Sequence, residues 1–188
     1  MTLTATARAH VNIALVKYWG KRDAALNLPA AGSLSATLAG LTTTTTVTFD
    51  DTIPEDHLVI GGAEASPEAL TKALRVIDPL RQRAGLLQHR VMIRSENDFP
   101  TGAGLASSAS GLAALTLAAA KAAGLELPRG ELSALARRGS GSASRSLFGG
   151  FARWDAGVRD DGADSHARPL FGPDHWDLRV IVAVVSSK

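Results

Sequence analysis

The chain has 188 residues, 45% of them hydrophobic and 20% charged, and its 20 Lys and Arg against 18 Asp and Glu leave a net charge of +2. This is the composition of one ordinary globular domain, and it excludes a disordered chain, a collagen and a coiled coil. The sequence has no cysteine, which removes disulfides, thiolate nucleophiles and cysteine-based zinc sites together. No run of Lys and Arg forms the basic stripe of a nucleic-acid binder. Arg8, His10 and Asn12 interrupt the apolar core that a signal peptide would need. The longest apolar run, Gly111 to Ala120, contains Thr116 and is closed by Lys121; it is far below the roughly 20 residues that span a bilayer. A soluble, cytoplasmic protein without nucleic-acid or membrane partners is expected.

Periodicity predicts an α+β chain. Residues 3–9 alternate loosely and suit an opening strand. Residues 42–49, TTTTTVTF, are β-branched or aromatic throughout and read as a half-exposed strand. Residues 58–60 form a strand stopped at Gly61-Gly62. Ser66-Pro67-Glu68 then opens a helix, with a capping serine and proline at the first position. It should run to about Arg83, kinked or shortened by Pro79. Residues 88–94 suit another strand. The stretch Leu105 to Ala123, rich in Ala and Leu and apolar on nearly every side, predicts a buried helix ended by Gly124. Pro128 starts a shorter amphipathic helix with Leu132 and Leu135 inward and Arg137 and Arg138 near its end. A Gly/Ser segment follows at 139–146. Strands are expected near 150–155 and at 178–185, the latter (LRVIVAVV) apolar enough to be central, with 156–169 as a surface connection.

Three segments can carry chemistry. Asn97 to Ser110 places a Gly-rich loop at the start of the Ala-rich helix. Unpaired N–H groups and the positive end of the helix dipole favour an anion there. Gly102 and Gly104 let a phosphate approach the backbone, and Ser107 and Ser108 add hydroxyls. The competing reading is a tight turn whose serines only cap the helix. No Gly-Lys-Ser/Thr follows, so this is not a Walker loop, and the dinucleotide fingerprint fails as well. The second segment, Asn12 to Asp23, sets Lys17, Lys21 and Arg22 around Tyr18-Trp19-Gly20; a helical turn would put Lys17 and Lys21 on one side. It reads either as an anion-recognition surface or as a solvated basic turn with Trp19 folded into the core. The third, Arg137 to Gly150, surrounds Arg145 with serines, a setting suited to phosphate or carboxylate. The basic clusters at 17–22 and 137–145 would both face small anions. The five histidines show no metal spacing. Asp50-Asp51 and Asp160-Asp161 read as solvated turns.

Together these segments resemble one family. Pro100-Thr-Gly-Ala-Gly-Leu-Ala-Ser-Ser-Ala109 looks like the phosphate-binding motif of the GHMP kinase superfamily. Asn12-Ile-Ala with Lys17-Tyr-Trp-Gly-Lys-Arg-Asp23 is similar to the N-terminal signature of diphosphomevalonate decarboxylases, as are Asn97-x-Phe-Pro-Thr101 and Gly139 to Ser146 with Phe148-Gly-Gly150. The resemblance covers about residues 7–155 and is weaker at 50–88. It implies a ribosomal protein S5 domain 2-like fold, a mixed sheet packed against helices, with 1–188 forming a GHMP-type N-terminal domain. It implies phosphorylation of the 3-hydroxyl of mevalonate diphosphate by ATP, then loss of phosphate and CO₂ to give isopentenyl diphosphate. Carried over by motif, Tyr18, Trp19, Gly20 and Lys21 would border the substrate diphosphate. Ser140, Gly141, Ser142, Ala143, Ser144 and Arg145 would line the same pocket, with Arg145 on the carboxylate. Asn12 would orient that carboxylate, Lys17 would sit near the transferring phosphoryl group, and Lys72 would be the basic residue of the first helix on the substrate side. Pro100, Thr101, Gly102, Ala103, Gly104, Leu105, Ala106, Ser107 and Ser108 would hold ATP, Ser108 being the hydroxyl available to the phosphoryl chain and its Mg²⁺. A homodimer would be usual for the family.

In one respect the sequence departs from the family. The catalytic base is there an Asp of a later Asp-Ala-Gly-Pro-Asn-like motif, and no such motif occurs here. Asp155-Ala-Gly157 is followed by Val158, and Asp155 is not assigned as the base. The expectation is an N-terminal half that is inactive by itself. Another GHMP small-molecule kinase, a phosphomevalonate decarboxylase and a non-catalytic phosphate-binding module are the alternatives.

Overall fold

The computed structural model describes residues 3–100 and 105–183. Strand β1 (Leu3–Val16) runs antiparallel to the long β4 (Ser33–Asp50), and a small hairpin of β2 (Lys21–Asp23) and β3 (Leu28–Pro29) lies between them in sequence. After β5 (His57–Ile60) and β6 (Ala63–Glu64), helix α1 (Pro67–Arg83) leads to β7 (Arg90–Asn97), which lies parallel to β5. Helices α2 (Ser107–Ala122) and α3 (Arg129–Gly139) are followed by a 3-10 turn at Gly141–Ser144, then by β8 (Phe151–Trp154) and β9 (Ala167–Phe171). The sheet order is β6-β5-β7-β4-β8-β9, with β1 on the other edge of β4. This is the expected α+β architecture, a mixed sheet with helices packed on it.

Local chemistry accounts for the elements. Ser66 Oγ accepts from Ala69 N at the start of α1, as its capping sequence predicts. Pro79 does not shorten α1, which continues to Arg83 because Val76, Ile77 and Leu80 are buried in the core and hold its last turns in place. Helix α2 lies on β1 and β4 through Ala109, Ala113, Ala114 and Ala118, all fully buried, so small side chains set the close approach.

Both first strands are longer than predicted. β4 extends back to Ser33 because Ser33–Ala36 pair with β8, and β1 extends to Val16 opposite Leu34. The register of β1 shifts between His10 and Asn12, and there successive residues Val11 and Asn12 are both buried. That break in the two-residue alternation turns the Asn12 amide inward. Of the predicted central strand at 178–185, residues 184 and 185 lie outside the described residues; residues 178–183 pair with no strand among the described residues, and Ile181 is 92% exposed. Apolar β-branched composition creates strand propensity, but a strand also needs a ladder partner. Nor is 156–169 only a surface connection. Ser165 and Ala167 are buried, and β9 begins within it.

Candidate functional site

Arg145 follows the 3-10 turn directly and is 2% exposed. Its Nη1 donates to Ser33 Oγ at 2.7 Å and its Nη2 to Asn12 Oδ1 at 3.3 Å, while Nε has no partner. No carboxylate contacts it among the described residues. Burial pulls its guanidinium down to about 10, leaving it cationic at neutral pH. Asn12 Nδ2 donates to Ser142 O at 2.9 Å and to Ser146 Oγ at 2.7 Å, which ties β1 to the serine segment. Tyr18 packs edge-on against Trp154, with ring centroids 5.0 Å apart. At Gly141 a Cβ would lie 2.8 Å from Trp154 Cη2 and 3.2 Å from Tyr18 Oη, so only glycine lets the turn close over these rings.

The serines divide by role. Ser140 Oγ and Ser142 Oγ are half-buried and lie 3.1 Å apart. Ser144 is fully buried and donates to Gly141 O at 2.7 Å, and Ala143 is fully buried in the core. Ala143 and Ser144 thus build the turn, whereas Ser140 and Ser142 remain at its surface. The segment 17–20 forms no helical turn: Lys17 and Lys21 are exposed, and Gly20 has φ of +74° where the chain bends into β2. Trp19 is 84% exposed and does not fold into the core; Tyr18 is the aromatic that packs inward.

Arg137 does not face an anion. It is 2% exposed and donates to the carbonyl oxygens of Leu26 at 3.1 Å, Gly162 at 2.7 Å and Ser165. Its charge is spent on fastening the β2–β3 hairpin and the 156–166 loop to α3. Asp155 is likewise engaged, between Arg153 Nε at 2.6 Å and Arg168 Nε at 2.9 Å.

The second group surrounds the start of α2. Thr101, Gly102, Ala103 and Gly104 lie outside the described residues. Ala106 adopts φ of +56° at the helix N-cap, and among the described residues no side chain caps the first turn. The serines therefore do not have the capping role that was the competing reading. Ser107 and Ser108 instead border a cavity of about 260 Å³ between α1, α2, β5 and β7. Its walls include Leu58, Ile60, Ile93, Leu112 and Leu115, with Thr45, Ser66, Glu68, Lys72, Ser95 and Asn97 as further polar groups. Lys72 lines the same cavity as Ser107 and Ser108. Sequence reasoning missed Ser33, Ser95 and Trp154. Ser33 and Trp154 are cross-strand partners, but the pairing of two such distant segments carries no local signal.

The family model of the diphosphomevalonate decarboxylase-like N-terminal domain matches residues 9–167. Diphosphomevalonate decarboxylase mvd1 of Aspergillus fumigatus is 45% identical over 201 residues, covering 98% of this chain and 49% of the relative. Human diphosphomevalonate decarboxylase is 43% identical over 198 residues, covering 97% and 49%. The chain spans about half the length of the curated relatives it matches. Among solved structures, mevalonate diphosphate decarboxylase from Staphylococcus aureus superposes with a TM-score of 0.83 at 46% identity, covering 91% of this chain and 51% of that one. A second structure, solved in complex with MVAPP, AMPPCP and magnesium, gives the same TM-score and identity and covers 90% and 51%. With the fold and the sequence agreeing over nearly its whole length, the chain belongs to the family of diphosphomevalonate decarboxylase-like N-terminal domains.

Proposed function

We propose that this chain is the ligand-binding domain of a protein that decarboxylates mevalonate diphosphate in an ATP-dependent reaction, giving isopentenyl diphosphate, CO₂, ADP and phosphate. The observation that carries the reading is Arg145, a buried guanidinium with an unmet Nε and no counter-charge among the described residues. A buried charge without a partner is costly, and a substrate carboxylate supplies both the missing charge and acceptors for the guanidinium fork. Ser35 Oγ, two residues from Ser33 on the same strand, is also buried without a partner. Ser140, Ser142, Tyr18 and Lys21 suit the diphosphate end.

The nucleotide belongs at the other group. The apolar walls of the 260 Å³ cavity accept a base, and its phosphates would run toward the uncapped first turn of α2. Lys72 is thereby assigned to the nucleotide and not to the substrate. No cluster of three or more His, Asp or Glu forms a metal cage among the described residues. A Mg²⁺ ion would therefore be held by phosphate oxygens with the Ser108 hydroxyl beside it, and when bound it neutralises phosphate charge.

In the reaction the 3-hydroxyl oxygen takes the terminal phosphoryl group of ATP, and its proton passes to a base. The bond between C2 and the carboxylate carbon then breaks, its electron pair forms the C2–C3 double bond, and the 3-phosphate departs with the electron pair of the C3–O bond. Arg145 holds the carboxylate in place until it leaves as CO₂. The base is the Asp of a motif that the described residues do not contain. A cytoplasmic location is part of this proposal. The test is an assay of the full-length protein with ATP and mevalonate, its 5-phosphate or its 5-diphosphate. CO₂ release is expected with the diphosphate, and ATP consumption without CO₂ release overturns the reading.

A further inference from the structure

Resting on the proposed reading, one residue outside the ligand-binding segments joins them. Trp154 on β8 is fully buried. Its ring lies beneath the Arg145 guanidinium, whose Cζ is 5.8 Å from the ring centroid. Tyr18 meets it in a T-shaped contact at 5.0 Å between centroids, with the planes at 70°. Its six-membered ring is pressed against Gly141, where no Cβ would fit. Its cross-strand partner is Ser33, the same hydroxyl that accepts from Arg145 Nη1. One ring thus touches the Tyr18 segment, the serine turn and the arginine.

The ring is itself anchored. Trp154 Nε1 donates to Ser165 Oγ at 3.2 Å, and Ser165 Oγ donates to Asp155 O at 3.1 Å. Ser165 O accepts from buried Arg137, which also holds the hairpin that follows the Tyr18 segment. A carboxylate beside Arg145 would neutralise it and compete with an incoming anion. An aromatic face stabilises the cation through its quadrupole, adds no charge of its own, and leaves the guanidinium donors free.

We propose that Trp154, fastened by Ser165, is a positioning residue for mevalonate diphosphate: it keeps Arg145 charged, in place and unneutralised, and registers Tyr18 and the serine turn against it. The experiment compares Trp154→Leu, Trp154→Phe and Ser165→Ala with the wild type in the full-length protein, measuring kcat, the KM for each substrate and Tm. Trp154→Leu removes the aromatic face, and about a tenfold rise in KM for mevalonate diphosphate is expected, with the KM for ATP within about twofold. Trp154→Phe restores a π face and is expected to recover most of that loss. If Trp154→Leu does not fold, Ser165→Ala still tests the anchor, with roughly a threefold rise for mevalonate diphosphate alone. Wild-type constants in these variants overturn the inference, as does a loss shared equally by both substrates and tracking Tm. Absence of CO₂ release by the wild type overturns the underlying reading and the inference with it.

Discussion

Three arginines are buried, and each is satisfied by different chemistry. Arg81 has a carboxylate, with Nη2 2.9 Å from Asp56 Oδ1. Arg137 has three backbone carbonyls. Arg145 has one hydroxyl and one amide oxygen, with its Nε left over. Arg81 Nε is unpartnered as well, but its charge is met by Asp56; of the three, Arg145 alone combines an unmet buried donor with no carboxylate among the described residues. Replacing Arg145 by Lys keeps the charge and removes the planar fork, so kcat for decarboxylation by the full-length protein should fall about a hundredfold while the KM for ATP holds within about twofold. Steady-state kinetics with each substrate varied in turn checks this. Gly141→Ala introduces a Cβ 2.8 Å from Trp154 Cη2. The overpacking should cost about 1–3 kcal/mol in urea unfolding and raise the KM for mevalonate diphosphate.

Single elements are placed by what their neighbours supply. Helix α3 holds the β2–β3 hairpin and the loop before β9 through Arg137, and Asn27 Nδ2 returns a bond to Arg137 O at 2.7 Å. Arg137→Met fills similar space but strands these buried carbonyls, and a loss of about 2–4 kcal/mol is expected by chemical denaturation of the full-length protein. The hairpin should loosen first, seen as faster amide exchange at 21–29. Helix α1 was legible in the sequence because Ser66-Pro67 is a local start signal that the structure satisfies directly. α2 was legible because alanine at position after position demands burial. The first half of β4 was not legible: Ser33, Ser35 and Ala36 have no strand-forming pattern, and they are strand only because β1 and β8 pair with them.

Across the molecule the two groups proposed to bind ligands lie on different elements. Asn12, Tyr18, Ser33, Arg145 and Trp154 gather around the 3-10 turn, whereas Lys72, Ser107 and Ser108 border the cavity between the helices and the sheet. Binding of substrate and nucleotide should thus be separable by mutation. Gly111 lines the cavity, and a Cβ there meets nothing within 4 Å. Gly111→Leu should therefore raise the KM for ATP about tenfold by filling the space while leaving the KM for mevalonate diphosphate within about twofold. Leucine's higher helix propensity should keep the unfolding free energy at or above wild type, by up to about 1 kcal/mol.

By itself the sequence determined the α+β class, the start of α1, the buried Ala-rich helix, and the segments proposed to bind anions. Those features arise from neighbours a few residues apart, where propensity, capping and spacing act. The tertiary structure decided which of Arg137 and Arg145, and which of four neighbouring serines, were consumed by the fold. It moved Lys72 beside Ser107 and Ser108, turned Asn12 inward at a register shift, and set Trp154 beneath Arg145. Among the described residues it also left 178–183 without a strand partner despite their strand composition. Each of these outcomes depends on groups far apart in the chain, because burial and hydrogen-bond satisfaction are properties of the packed molecule and not of any local stretch.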